Sequence, residues 1–406
     1  MANSLLTIQM ITREAISLFR NTNSFLRNVD MQYDDQYAQT GAKIGTALKI
    51  RLPNDYTVRT GPAASVQDTA EQSVTLTVST QKGVDVSFNS AERALSLDDY
   101  SKRVLAPAVN KLVGNIAADL MTGVEGGCSN IVANQDGANN VLNPNAGTVL
   151  SAGAVLDSIS APENGRIIVT DQWTMARVVQ SLAGLFNPSA KIGRQFEKAM
   201  VYEDVLGFDW NKDQTVVKHT VGTFTAGTVN GAGQTGLTLV TNAITGTLAL
   251  GDIITIAGVN SVNRVTSKDN GTLAQFVLTA AAANGATSLS IYPAIVPPVG
   301  GQAVQYQTVT ASPANAAAIS LALSIPPSSV YRKNIAFIPE AITMATADLE
   351  LPRGVHEAHR EAMDGISMRM LTAYDVKSDE FITRMDVLYG YLWIRPEWVC
   401  AVADAV

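Results

Sequence analysis

The chain has 406 residues, 46% hydrophobic and 16% charged, with a formal net charge of −7 and no basic block, so composition gives no sign of a dedicated nucleic-acid-binding surface. Its two cysteines, Cys128 and Cys400, permit at most one disulfide and fit a reducing compartment better than a secreted scaffold. Such a length holds two or three domains, and so few charges suit extensive burial between subunits.

The opening MANSLLTIQMITREAISLF has neither a basic leader nor a continuous apolar core, and acidic Glu14 falls inside it, so no secretory signal is expected. No apolar run approaches the roughly 18 residues of a membrane span. From Leu5 to Phe19, Ile8, Ile11, Ala15, Leu18 and Phe19 form a helical stripe opposite Arg13, Glu14 and Arg20, which predicts a short amphipathic arm. Between Gly41 and Phe88, alternation at Leu48, Ile50 and Leu52, at Val74, Leu76 and Val78, and at Val84, Val86 and Phe88 predicts a long hairpin. Pro53, Asn54 and Asp55 mark a turn, and the GPAAS run from Gly61 a tip. A lone ribbon and a lone short helix bury little apolar surface, so both are expected to become ordered mainly on neighbouring subunits.

Ser96 to Glu125 reads as a helical track, with Ser96, Asp98 and Asp99 at its start. Val104, Ala108, Leu112, Ile116 and Leu120, widened by Val109 and Val113, form its apolar face. Pro107 either kinks it or opens a second helix. After the loops at 126–147, a helical stretch near Val155, the strand RIIVT (166–170) and a helix capped by Asp171 give the grammar of an α/β layer. A composition break follows His219. Residues 220 to 310 hold four charged side chains, Asp252, Arg264, Lys268 and Asp269, among the β runs LTLV (237–240), DIITIAGV (252–259), AQFVLTA (274–280) and TSLSIYPAI (287–295). This predicts a small β-barrel or sandwich inserted into the α/β body and folding on its own from Val221 to Thr310, with Lys218 and Ala311 at entry and exit. A helix is expected over Ala314 to Leu323, then strands at IAFIP (335–339), ISMRML (366–371) and FITRMDVLYGYLWI (381–394).

Chemical motifs are weak. Gly231, Gly233 and Gly236 spell GxGxxG, but the strand LTLVTN follows where a dinucleotide site needs a helix, so we read a hairpin loop. His356 and His359 flank Glu357 in HEAH, a spacing that could place both rings on one helical face; the zinc-protease pattern needs a spacing of four and a third ligand, and His219 is the one imidazole elsewhere. Asp34 with Asp35, and Asp98 with Asp99, suit solvated or capping roles. No catalytic, cofactor-binding or metal-binding residue is assigned, and no enzyme activity is expected.

Four stretches carry a resemblance over nearly the whole chain: LAPAVNKLVGNIAADLM (105–121), GFDWNKDQTV (207–216), LGDIITIAGV (250–259) with FVLTA behind it, and RMDVLYGYLWIRPEWVCAVA (384–403). In this order they resemble the major capsid protein of tailed double-stranded DNA bacteriophages, of the coat-protein family typified by the short-tailed Salmonella phage. The resemblance implies the α+β capsid fold shared by tailed phages and herpesviruses. Its parts would be an N-terminal arm (1–40), an E-loop hairpin (41–93), a spine helix with peripheral domain (94–147), a first axial part (148–217), an inserted β-barrel-like I-domain (218–310), and a second axial part returning to the peripheral domain (311–406). Residues 220–247 match that pattern poorly. The implied function is self-assembly of many copies, as pentamers and hexamers, into an icosahedral head enclosing DNA. The implied partners are a separate scaffolding protein, a portal and non-specifically bound DNA, with no membrane; the location is the virion, assembled in the host bacterial cytoplasm. The alternative is a secreted or surface β-rich adhesin, suggested by the Thr/Gly/Ala-rich insertion.

Overall fold

The computed structural model describes residues 8–31, 47–56, 58–59, 61–64, 66, 72–89, 105–182, 201, 204–298, 304–352, 354–363, 365–377 and 380–406. Ser96, Asp34, Asp35, Asp98 and Asp99 lie outside them. The helices Ile8–Thr22 and Ser24–Arg27 come first, then strands β1 (Ala47–Arg51), β2 (Ser73–Thr77) and β3 (Thr80–Asn89) and the long helix Ala106–Gly127. Next are β4 (Asn130–Ala133), the helix Ala146–Ser158, β5 (Ile167–Thr170), the helix Gln172–Leu182, β6 (Asp209–Lys212) and β7 (Lys218–Thr220). The insert holds β8 (Gly227–Thr228), β9 (Gly236–Val240), β10 (Ile253–Val262), β11 (Asp269–Leu278), β12 (Ser288–Ile295) and β13 (Ala318–Leu321). Last come β14 (Val330–Phe337), β15 (Ile342–Ala347), β16 (Glu357–Met363), β17 (Ile366–Asp375), β18 (Glu380–Trp393) and β19 (Val399–Ala405). They divide into two compact units, one of Met1–Ile50, Ser73–Leu120 and Ile342–Ile394, the other of Arg51–Gln72, Met121–Ala341 and Arg395–Val406.

In the first unit β18 is the organising strand. It pairs antiparallel with β17, β15 and, over ten positions from Glu380↔Asn89 to Tyr389↔Thr80, with β3. The expected hairpin is therefore divided: β1 and β2 form a two-stranded sheet, while β3 belongs to the sheet of β18. The first helix buries Ala15, Ile16 and Phe19 within this unit, the two larger side chains each worth about 1.5–3 kcal/mol when removed from water. Its Arg13 Nε meets Glu361 of β16 at 3.0 Å. This helix and β3 thus have packing partners in the same chain. HEAH is also not helical: β16 pairs with β17 from Glu357↔Thr372 to Met363↔Ile366. Its Glu, Ala and Met favour helix locally, and strand pairing overrides them.

The long helix keeps the apolar face read from the sequence. Val109, Leu112, Val113, Ile116, Ala117 and Leu120 are buried, and Pro107 sits in the first turn, where its missing N–H has no intrahelical partner to lose.

The second unit contains the body sheet, in the order β4-β19-β14-β5-β6, with β7 also on β14. The helices Ala146–Ser158 and Gln172–Leu182 cover it through Val149, Leu156, Met175 and Val178, packed with Ile168, Phe208, Trp210 and Val402. Asn145 caps the first helix by a reciprocal capping box with Thr148, and Asp171 Oδ2 accepts from Trp173 N at 3.2 Å at the start of the second. The insert's strands run β8-β13-β10-β11-β12-β9, and the bridge Val229↔Thr241 joins the two ends into a closed barrel. The helix expected over Ala314–Leu323 is instead β13 and one 3-10 turn, because β13 pairs with both β10 and β8. The chain re-enters the body sheet at Val330, beyond Ala311, and there β14 lies antiparallel to β7: Thr220 faces Val330, His219 faces Tyr331 and Lys218 faces Arg332.

Two glycines make opposite predictions for the first unit. A Cβ on Gly390 would stand 2.1 Å from the Thr77 carbonyl oxygen, whereas one on Gly114 in the long helix would meet nothing within 4 Å. Gly390→Ala is expected to cost about 1–3 kcal/mol, and Gly114→Ala to add about 0.5–1 kcal/mol. Thermal unfolding of the two variants beside the parent checks both signs.

Candidate functional site at the junction of insert and body

The insert is seated on the body by side chains contributed from both sides. β7 and β14 are adjacent where the chain leaves and returns, so His219, Tyr331 and Lys333 come together beside the end of the long helix and the turn before β10. His219 is 1% exposed, Asp252 1% and Lys333 1%, so the charges of this cluster act without water to screen them. His219 Nε2 lies 2.9 Å from Asp252 Oδ1, and Nδ1 lies 3.5 Å from Glu125 Oε1. The second Asp252 oxygen accepts from Gly222 N at 3.0 Å and Ala249 N at 2.6 Å. Lys333 Nζ donates to the Glu125 carbonyl at 3.4 Å and the Gly251 carbonyl at 3.3 Å, one on the helix and one on the insert.

Gly251 makes the close approach possible. Its φ is +87°, and a Cβ there would stand 2.6 Å from the Glu125 carbonyl oxygen. Burial, partly offset by Glu125 and Asp252, pushes the Lys333 ammonium down from its ordinary value; burial pushes the Tyr331 hydroxyl and the Cys128 thiol up.

A second set of contacts lies further along the barrel. Arg264 Nη1 pairs with Glu397 Oε1 at 2.8 Å and Nη2 with Asp55 Oδ2 at 3.2 Å, while the Tyr292 hydroxyl donates to Glu397 Oε2 at 3.0 Å. Gln275 completes a two-way pair with Ile131 of β4, accepting from its N–H at 2.7 Å and donating to its carbonyl at 3.3 Å. Asn263 and Asn270 both donate to the Ser158 carbonyl at 3.2 Å.

The residues weighed from the sequence do not converge. Gly231 and Gly233 have positive φ in the turn before β9, and Gln234 fills that turn by donating to the Asn230 and Val240 carbonyls. His359 Nε2 lies 3.5 Å from Glu361 on its own strand, while His356 packs on Phe381 with ring centroids 5.7 Å apart. Among the described residues no group of three or more His, Cys, Asp or Glu side chains could hold a metal ion, and no helix is long and apolar enough to cross a membrane. The junction itself was missed because its partners are distant in sequence. Its available signal was Asp252, a carboxylate at the head of an apolar strand in a segment almost free of charge.

A family model described as P22 coat protein, gene protein 5, matches residues 1–402. The chain belongs to the P22 coat-protein family. No curated protein sequence matches it. Among solved structures, this coat-family chain is similar to one described as Mycobacterium phage Che8, at 11% identity and TM-score 0.47, covering 94% of this chain and 90% of that one. It is also similar to the capsid of Ralstonia phage GP4, at 7% identity and TM-score 0.45, covering 91% and 86%. The CUS-3 coat protein I-domain is matched at 25% identity and TM-score 0.20, over 24% of this chain and 94% of that domain.

Replacing Lys333 by Met removes the ammonium that faces two carboxylates and leaves two buried carbonyls without that donor. A loss of about 3 kcal/mol is expected. Urea unfolding followed by tryptophan fluorescence reads it, and a loss below about 0.5 kcal/mol would show that the ammonium is not needed there.

Proposed function

We propose that this chain is a major capsid protein whose copies self-assemble, as pentamers and hexamers, into the icosahedral head of a tailed bacteriophage enclosing double-stranded DNA. The observation that carries the reading is the coat-protein family match over residues 1–402. The more than half exposed Tyr56, Val58 and Val66 are consistent with it, because exposed apolar side chains suit contacts between copies. In this reading the role is mechanical and non-catalytic, DNA is bound weakly and without sequence preference, and a scaffolding protein and portal join assembly in the host cytoplasm. The named segments correspond to an N-arm, an E-loop, a spine helix, peripheral and axial domains and an I-domain, the last serving as an internal folding template because its strand pairings are more local than those of the body sheet.

Expression of the full-length chain, alone and with a candidate scaffolding protein, followed by sedimentation and negative-stain microscopy, tests the proposal. Closed shells of uniform diameter are expected. A chain that remains monomeric under those conditions, with no particles in any fraction, would overturn it.

A further inference from the structure

His219 stands where three parts of the second unit converge. It lies on β7, through which the chain leaves the body sheet; Nε2 faces Asp252 of the insert, and Nδ1 faces Glu125 near the end of the long helix. An imidazole carrying one proton can donate to one of these oxygens and turns a lone pair toward the other; an imidazolium donates to both. Neither Asp252 nor the ring of His219 is free to turn away. Asp252 is fixed by the Gly222 and Ala249 amides, and the ring of His219 packs on Tyr331 with centroids 5.3 Å apart.

We propose that His219 is a proton-operated latch: doubly protonated, it ties the insert's Asp252 to Glu125 of the long helix, and on losing a proton it releases Glu125 and loosens the seating of the insert. The titratable and charged groups around it are Glu125 and Cys128 from the helix end, Asp252 from the insert, and Tyr331 and Lys333 from the returning strand. Two carboxylates against one lysine accommodate one further positive charge. Burial of His219 opposes that charge, and so does Lys333, but the bonds to Asp252 and Glu125 outweigh them and hold the ring above its ordinary value. A histidine whose folded value is raised contributes stability that is fully present below about pH 6.5, the unfolded value. That contribution is lost as pH rises through the higher folded value. The latch is therefore closed in acid and opens on the alkaline side. It depends on the junction's geometry and not on whether the chain builds a shell.

The test uses the full-length chain and its three histidines, His219, His356 and His359. Proton–carbon correlation spectra of the imidazole rings are recorded from pH 5.5 to 9.5, with His219 assigned by its loss in His219→Gln, or by elimination with His356→Gln and His359→Gln should that variant not fold. The His219 midpoint is expected above 6.5, and lower in Glu125→Gln than in the parent. Chemical unfolding across the same range is expected to show the parent losing stability as pH rises, with a shallower loss in Glu125→Gln. A His219 midpoint at or below 6.5, or identical pH profiles in the parent and Glu125→Gln, would overturn the proposal.

Discussion

The antiparallel pairing of β7 with β14 is the constraint on which the second unit depends. A chain that leaves a sheet to build a closed barrel must return at a fixed register, since a slip of one residue would turn every side chain of the returning strand to the other face. Here the register is set at three positions, with His219 opposite Tyr331. From that start β14 is held along one edge by β19, from Tyr331↔Ala405 to Phe337↔Val399, and on the other by β7 and then β5. Its sequence VYRKNIAF is buried from Tyr331 onward although it contains Arg332, Lys333 and Asn334.

Those three polar residues explain how a strand so placed is specified. Asn334 donates to the Val402 carbonyl and accepts from Asp171 N, tying two neighbouring elements to one side chain. Arg332 Nε pairs with Asp171 at 3.0 Å, and Asp404 is met by Arg177 at 2.8 Å and by the Thr174 hydroxyl at 2.7 Å. Lys333 faces the junction instead. Desolvation nearly cancels the attraction of such buried pairs, so what they add is discrimination: a slipped β14 would bury unpaired charge. The barrel, by contrast, carries few charges, and Ile254, Ile256, Phe276, Leu278, Leu289 and Ile291 bury an apolar interior. Polar specification is concentrated in the body around β14 and at its junction with the barrel.

Much of this was legible in the sequence and some was not, for identifiable reasons. The insert's alternating runs became β9 to β12 because strand period and turn glycines agree there, and the long helix after Pro107 followed its apolar stripe. Asp171 capped its helix as a short acceptor before an apolar run should. The failures lie where local preference and tertiary pairing disagree. Ala314–Leu323 is alanine-rich and HEAHREAM is rich in helix formers, yet both contain strands because a neighbouring strand offers a full ladder. The His219 junction had little local signature beyond Asp252, since β7, the helix end, the β10 turn and β14 are far apart in the sequence.

Native-state hydrogen exchange on the full-length chain reaches this account most directly. If the β7–β14 pair closes the excursion through the barrel, the backbone amides of His219 and Val221, which face β14 in the antiparallel ladder, and those of 331–337 exchange slowly and gain and lose protection together as denaturant is added. Fast exchange at His219 and Val221 while β14 and β19 stay protected would contradict it, because the insert would then be joined to the body by a tether and not by a paired strand.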